Sequence, residues 1–494
     1  MNILNFFVLS ELFIGDVVFL SAVLIVSTIA LFHEKFTDSA RALRYATLMG
    51  LGISLIVFIV MGISNNSALG FNGRYINDAF SVGGKILILV CGIFACVFNK
   101  VEEYIELSNY MFYPLLMVAT AGSFLAVGAI GFDVLLIAMG LIVISTSFMV
   151  ILSSSDKIYS KTNSIFLITQ VLGFAIFILG VAYVHYLIGS FQYEDVGNAI
   201  DSKNYVNKHL MLALVLIISS LSIIMGAVPF SNWAVKIHTA MFDSVAVFLR
   251  TTIVLTIILV LARLLYDPFI TMAYLWKDFI LLIGVCGILI GTFGTLMQQN
   301  IDKLYGYVSI GHVGFLFLAL SIGNVNSISA IIVYCIAYIL SYVAFLGYGR
   351  GIFCDNKLVK NLEDLSDAGR SMGMHSLSFA IAGLSFAGLP PFIGFIGKIS
   401  VLGAVLQWDL PILVAILVIS GVLQSMWVLR LFRVMYFTKF KIKDDLEEVP
   451  TISFSNKAQK GMVFIRRLTI IISITFLFIS GPIIALAHKM SSVF

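Results

Sequence analysis

The stretch AGLPPFIGFIGKIS, residues 387–400, places two prolines and three glycines just ahead of one lysine, Lys398, inside a long apolar run. Proline lacks a backbone donor and clashes with the preceding turn. Lys398 lies seven residues past Pro391, roughly 10 Å along a helix, too deep for easy snorkelling. A lysine held away from water can release and rebind a proton near neutral pH. The competing reading is a fixed cation that neutralises carbonyls freed at Pro390 and Pro391.

Other ionisable residues also fall inside apolar runs, where a charge costs about 2.5–3.5 kcal/mol on insertion scales and must face protein or water. His312, in YGYVSIGHVGFLF, sits mid-run and is a relay candidate, with a satisfied core histidine as the bland alternative. Lys303 opens the same run and reads as a pathway residue or an anchor. Arg250, in VAVFLRTTIVL, cannot deprotonate usefully; it biases a neighbour, holds an anion or serves structure. Lys85, in VGGKILILV, reads as a pathway residue or as a packed, snorkelling cation. Asp133 suits a helix N-terminus. Arg430 and Arg433 lie one turn apart near the end of a run, where anchoring is the plain reading.

These residues need lipid-embedded helices to position them. The 494 residues are 60% hydrophobic and only 11% charged, well outside the balance of a soluble domain. Apolar runs of spanning length fall near 11–32, 44–63, 78–98, 109–129, 131–152, 163–189, 209–230, 242–266, 275–296, 301–323, 327–353, 375–407, 409–437 and 464–490. The expected fold is therefore an all-α polytopic membrane protein of about 14 helices. Runs 163–189 and 375–407 exceed one crossing and imply tilt, a break or an interfacial stretch. The first run is long enough to span and does not read as a cleaved leader.

Basic residues in the loops set the orientation. With the N-terminus outside, about 20 lysines and arginines fall on the inner side and about 5 outside. The inner set includes Lys35, Arg41, Lys157, Lys161, Lys357, Lys360, Arg370 and those from Lys439 to Arg467. The polar stretch KFKIKDDLEEVP, 439–450, reads as an inner loop. The net charge of +4 follows from this placement and gives no nucleic-acid signal. The five cysteines form no CxxC pair and read as small buried hydrophobes. With no iron–sulfur, haem or nucleotide motif, no redox centre is expected in this chain.

Two helix breaks are expected, at MGAVPFSNW around Pro229 and at FAGLPPFIGF around Pro390 and Pro391. They fall in helices 7 and 12. Similar breaks in corresponding positions indicate inverted repeats. Helices 4–8 and 9–13 then form two five-helix units of opposite topology. The expected divisions are 1–108, 109–266, 267–437 and 438–494.

The segments FNGRYINDAF…KILILV, FDVLLIAMGLIVIS, AVPFSNW, DKLYGYVSIGHVGFL, AGLPPFIGFIGKISVL and VLRLFRVMYF, in this order, resemble the antiporter-like subunits of the proton-pumping NADH–quinone oxidoreductase, respiratory complex I, in its subunit 2 or N branch. The resemblance covers nearly the whole chain and implies fourteen helices with two inverted five-helix repeats. It also implies a line of buried polar residues carrying protons, to which Lys398 and His312 correspond in helices 12 and 10. Three expected charged positions do not carry over. The helix-5 glutamate falls at Ile142, the helix-7 lysine near Ile224 and the helix-8 lysine near Val254. The usual Pro-Asp and Gly-Ala-Pro after the tryptophan are replaced by NWAVKIHTAMFDSV. A degenerate first half-channel is the implied result.

The function implied is proton translocation coupled to quinone reduction, with NADH, FMN, iron–sulfur clusters and quinone held by partner subunits. Partners would be other membrane-arm and peripheral-arm subunits and membrane lipids, cardiolipin among them. The alternatives are a cation/proton antiporter subunit, a non-pumping scaffold and a solute permease. The membrane is energy-coupling, with the mitochondrial inner membrane favoured over a bacterial plasma membrane.

Overall fold

An apolar run in lipid must satisfy its backbone internally, so it folds as helix. The computed structural model describes residues 13–32, 39–63, 67–99, 106–153, 157–202, 207–354, 357–407, 411–438, 452–454 and 460–494. Lys35 and the stretch 439–450 lie outside them. Among the described residues the main helices are α1 (Ile14–Leu31), α2 (Ser39–Ile63), α3 (Ala79–Phe98), α4 (Glu106–Gly128), α5 (Phe132–Leu152) and α6 (Lys157–Ile188). They continue with α7a (Asn207–Met225) and α7b (Asn232–Ala240), α8 (Asp243–Tyr266), α9 (Ala273–Met297), α10 (Ile301–Ser321) and α11 (Val325–Gly349). Last come α12a (Met374–Ala387) and α12b (Ile393–Leu406), α13 (Pro411–Phe437) and α14 (Lys460–Ser491).

Twelve of these described helices are long and apolar enough to cross a membrane unaided. In addition, α14 turns through 92° between Thr475 and Ser480, and α12a and α12b are two short apolar helices in sequence. The chain is thus an all-α polytopic membrane protein. The run 163–189 falls, but for its last residue, within one unbroken helix of 32 residues, Lys157–Ile188. The run 375–407 is two helices, and the run 209–230 stops as helix at Met225.

Burial sorts the helices. Every residue of α8 from Ser244 to Tyr266 is buried, and α10 and α11 are nearly so. A helix apolar all round belongs in the centre of a bundle. The helices α1, α2, α6 and α13 keep one face exposed, as lipid-facing helices do. Glycines set the α9–α10 contact, because a Cβ on Gly284 or Gly314 would run into the backbone of the facing helix.

Extra-membrane structure is slight. A hairpin pairs β1 (Ala68–Gly70) with β2 (Tyr75–Asn77), and β3 (Ile352–Cys354) pairs with β4 (Lys357–Leu358) and β5 (Ile452–Phe454), all antiparallel. Each end of the bundle carries an ion cluster. At the end expected to face inward, Arg350 pairs with Asp243 at 2.7 Å and Asp302 at 2.8 Å. Burial works against its charge, but the two carboxylates prevail and hold the Arg350 pKa above its usual value. At the opposite end, Arg263 makes two 2.8 Å bonds to the Asp78 carboxylate. Both clusters join residues that the loop-charge orientation assigns to the same side.

Candidate functional site

The two proline breaks organise the site. In an α-helix each carbonyl accepts from the amide four residues on. Pro229, Pro390 and Pro391 have no amide proton, so the carbonyls of Met225, Phe386 and Ala387 lose their helical partners. Each is taken up by a cationic or titratable side chain. Arg250 Nη1 donates to Met225 O at 3.3 Å, His312 Nε2 to Phe386 O at 2.9 Å and Lys398 Nζ to Ala387 O at 2.8 Å. Gln170 and Trp233 donate to the neighbouring carbonyls of Ile224 and Ile223.

Both breaks are closed in the same way. Gly226 and Gly388 sit at φ +75° and +74°, the left-handed region that only glycine enters without strain. Ala227 N donates to Ser222 O and Leu389 N to Leu384 O, the six-to-one bond of a Schellman cap. A cis peptide bond precedes Pro229 and Pro391.

Lys398 is half-buried. Besides the Ala387 carbonyl it donates to Gln424 Oε1 at 3.1 Å, and its Nζ lies 5.3 Å from the Phe315 ring centre. A cavity of about 290 Å³ adjoins it, walled by Phe315, Leu389, Pro390, Leu402, Val418 and Val422. Val418 and Val422 are also exposed on the flank of α13. The ammonium group therefore sits beside a mainly apolar cavity at the side of the bundle. Its polar contacts all lead inward.

His312 is 3% exposed. A carbonyl only accepts, so Nε2 carries a hydrogen toward Phe386 O. In the neutral ring Nδ1 then accepts from Tyr334 OH at 2.7 Å. Tyr334, Tyr338 and Tyr342 recur every fourth residue and line one face of α11. Tyr338 OH donates to the Arg250 carbonyl at 3.0 Å. That carbonyl lies in a π-helical turn, Leu249–Ile253, inside α8, a local widening that disturbs the usual ladder. Tyr342 OH reaches His238 Nε2 at 3.4 Å, and Arg350 Nη2 donates to the His238 carbonyl at 2.9 Å. Polar groups thus run from Lys398 through His312, the tyrosines, Arg250 and His238 to the Arg350 cluster.

Two sequence candidates stand apart from this track. Lys303 is exposed at the start of α10; its neighbour Asp302 is the buried member, held by Arg350. The side chains alternate around the helix, and the lysine takes the outward position. Lys85 does not snorkel. It is fully buried, 2.7 Å from Asp16 of α1, and donates also to Tyr75 and Asn77. Burial and the Asp16 carboxylate raise the Tyr75 pKa, which keeps its hydroxyl a donor. Asp133, in the first turn of α5, pairs with Arg74. Arg430 donates to the carbonyls of Leu296 and Gln298 at the end of α9, and Arg433 is exposed.

Ile142, Ile224 and Val254 are buried. No titratable group occupies those three positions.

Sequence reading missed Asp16, Asp243, Asp302, His238, Arg350, Gln424 and the tyrosine face. The four-residue tyrosine spacing was a visible signal. The Asp–Arg pairings, which bring together residues from different helices, were not.

A family described as NADH:quinone oxidoreductase/Mrp antiporter, TM matches residues 132–424, more than half of the chain and including both breaks and the track between them. The chain belongs to this family. Among its relatives is a protein named NADH-quinone oxidoreductase subunit N from Paramagnetospirillum magneticum, 23% identical over 92% of each chain. Another of that name, from Granulibacter bethesdensis, is 27% identical over 83% of this chain and 86% of its own. Two solved structures share the fold. Respiratory complex I from Thermus thermophilus with bound Aureothin gives a TM-score of 0.75 at 19% identity, covering 94% of this chain and 99% of that one. The Mrp complex from Dietzia sp. DQ12-45-1b gives 0.81 at 13%, covering 98% and 96%.

Proposed function

We propose that this antiporter-family chain is the subunit N component of a proton-translocating NADH–quinone oxidoreductase and that it moves protons through its second half. The observation that carries this reading is the break of α12. Pro390 and Pro391 free two consecutive carbonyls, and a histidine and a lysine, both able to exchange protons, hold them. Carbonyls accept hydrogen bonds but do not carry protons. Transfer between the two side chains therefore needs another route, a bridging water or a direct approach of one side chain to the other.

On this reading the α7 break is the corresponding part of an inverted first unit, 109–266 against 267–437. Its carbonyl is held by Arg250, a cation that stays charged. The first unit then serves as a fixed electrostatic frame, and the proton-exchanging groups lie in the second. NADH, FMN, iron–sulfur clusters and quinone belong to partner subunits, whose redox cycle changes the charge felt along the track. Other membrane-arm subunits and lipids, cardiolipin among them, cover the exposed flanks. The curated relatives compared are bacterial proteins, which favours a bacterial plasma membrane over the mitochondrial inner membrane.

The test is Lys398→Met in the intact complex, reconstituted in vesicles. NADH–quinone reduction and proton uptake are measured together. Protons moved per electron fall if Lys398 carries them. An unchanged ratio with normal quinone reduction overturns the reading in favour of a scaffold. Sodium- or potassium-dependent proton flux by the chain without an NADH-oxidising arm would favour an antiporter.

A further inference from the structure

We infer that Gln424 is a positioning residue for the proton on Lys398, an inference that rests on the proton-carrying reading of that lysine. Gln424 lies on α13, is 1% exposed, and its Oε1 accepts from Lys398 Nζ at 3.1 Å. It is the one side chain among the described residues that hydrogen-bonds this ammonium. The other acceptor is the Ala387 carbonyl, and Phe315 offers only its ring face.

The opposite end of the amide faces α10. Gln424 Nε2 is buried without a hydrogen-bond partner and abuts Gly311, whose missing side chain leaves the space it occupies. Gly311 directly precedes His312. Gln424 therefore reaches from Lys398 to the helix that carries the histidine.

A carboxamide is suited to this place because it offers an acceptor and a donor at opposite ends of one group. When Lys398 is an ammonium, Oε1 accepts from it. When Lys398 is a neutral amine, a half-turn of the amide presents Nε2–H to the nitrogen lone pair. The unpartnered donor then gains an acceptor, and the lysine stays in place without its charge. Gln424 thus holds Nζ within reach of the α12 break in both protonation states.

The other polar groups around this lysine are Ser425 on α13, which lines the same cavity, and His312 on α10, which binds the adjacent carbonyl; Tyr334 and Tyr338 on α11 lie against His312, and Arg250 on α8 lies beyond Tyr338. None is a carboxylate. Changes at position 424 therefore act on Lys398 without a competing acid nearby.

The experiment measures protons moved per electron against pH in reconstituted complex. It compares Gln424→Leu, Gln424→Glu and Gly311→Ala with the parent and with Lys398→Met. Leucine removes the acceptor for the ammonium, so the limb on which Lys398 loses its proton moves to lower pH, by about one unit. Glutamate puts a carboxylate there, favours the ammonium and moves the same limb up by about one to three units. Gly311→Ala pushes the amide aside without touching Lys398 and shifts the limb in the same direction as leucine. Opposite shifts for leucine and glutamate support the inference, because a packing role gives no such sign change. If Lys398→Met lowers the ratio but all three other variants keep the parent's pH profile, Gln424 has no such role and the proton reading survives. If Lys398→Met leaves the ratio unchanged, both ideas fall. Should Gln424→Leu not assemble, the glutamate and alanine variants still decide the sign.

Discussion

His312 and Lys398 bind consecutive carbonyls: Nε2 of the histidine takes Phe386 O at 2.9 Å, and Nζ of the lysine takes Ala387 O at 2.8 Å. The proline that leaves each carbonyl open lies four residues further along, Pro390 after Phe386 and Pro391 after Ala387. The two side chains and the broken backbone therefore form one hydrogen-bonded unit. Replacing both Pro390 and Pro391 by alanine restores two amide donors that compete for these carbonyls. We expect the complex to assemble and reduce quinone, and proton movement per electron to fall. Vesicle pumping assays normalised to NADH oxidation measure this.

His312 separates its structural role from its proton-exchanging role through two replacements. His312→Leu leaves the Phe386 carbonyl and the Tyr334 hydroxyl buried and unpaired, at about 1–3 kcal/mol for each, so thermal stability drops. His312→Gln retains a donor and an acceptor but cannot titrate. It is expected to keep most of the stability and lose pumping. Thermal unfolding of the purified complex and the proton-to-electron ratio are the two readouts.

The Lys85–Asp16 pair ties α1 to α3. Removing one partner of a buried pair costs about 3–5 kcal/mol, because the other charge is left uncompensated. Lys85→Met is expected to destabilise the complex strongly. Lys85→Met with Asp16→Leu is expected to recover most of the loss. A double-mutant cycle of melting temperatures shows whether the two effects couple.

Lys303 is the negative control. Its side chain is exposed beside the buried Asp302, and surface substitutions usually stay within about 0.5 kcal/mol. Lys303→Ala should leave assembly, quinone reduction and pumping unchanged. Arg350→Lys is the contrasting case. One ammonium cannot span Asp243 and Asp302 as the guanidinium fork does, so stability should fall despite the conserved charge.

Apolar runs and prolines were readable in the sequence because lipid allows few backbone solutions. The breaks at Pro229 and Pro390 were legible for that reason. The partners were not. Asp16 lies in a run that reads only as apolar, and nothing local says that it meets Lys85, 69 residues away. Arg350 follows α11 and reads as one more inner-side base, yet it clamps the starts of α8 and α10. Gln424 in α13 carries no charge to attract notice. Helical periodicity fixes which face a residue takes, but which helix lies opposite depends on packing between distant segments. The order Asp302–Lys303 shows the limit, since a shift of one position exchanged the buried residue for the exposed one.

The π turn in α8 brings a last consequence. Its Arg250 reaches back to the end of α7a with the guanidinium, while the same residue's carbonyl receives the Tyr338 hydroxyl from α11. One amino acid is thus held by two other helices, α7a at its tip and α11 at its main chain. The main-chain and side-chain contacts of Arg250 join α7a, α8 and α11 at one residue. Because the Arg250 carbonyl sits in the widened turn, the Tyr338 hydroxyl supplies a hydrogen bond from a neighbouring helix at the point where the α8 ladder is disturbed.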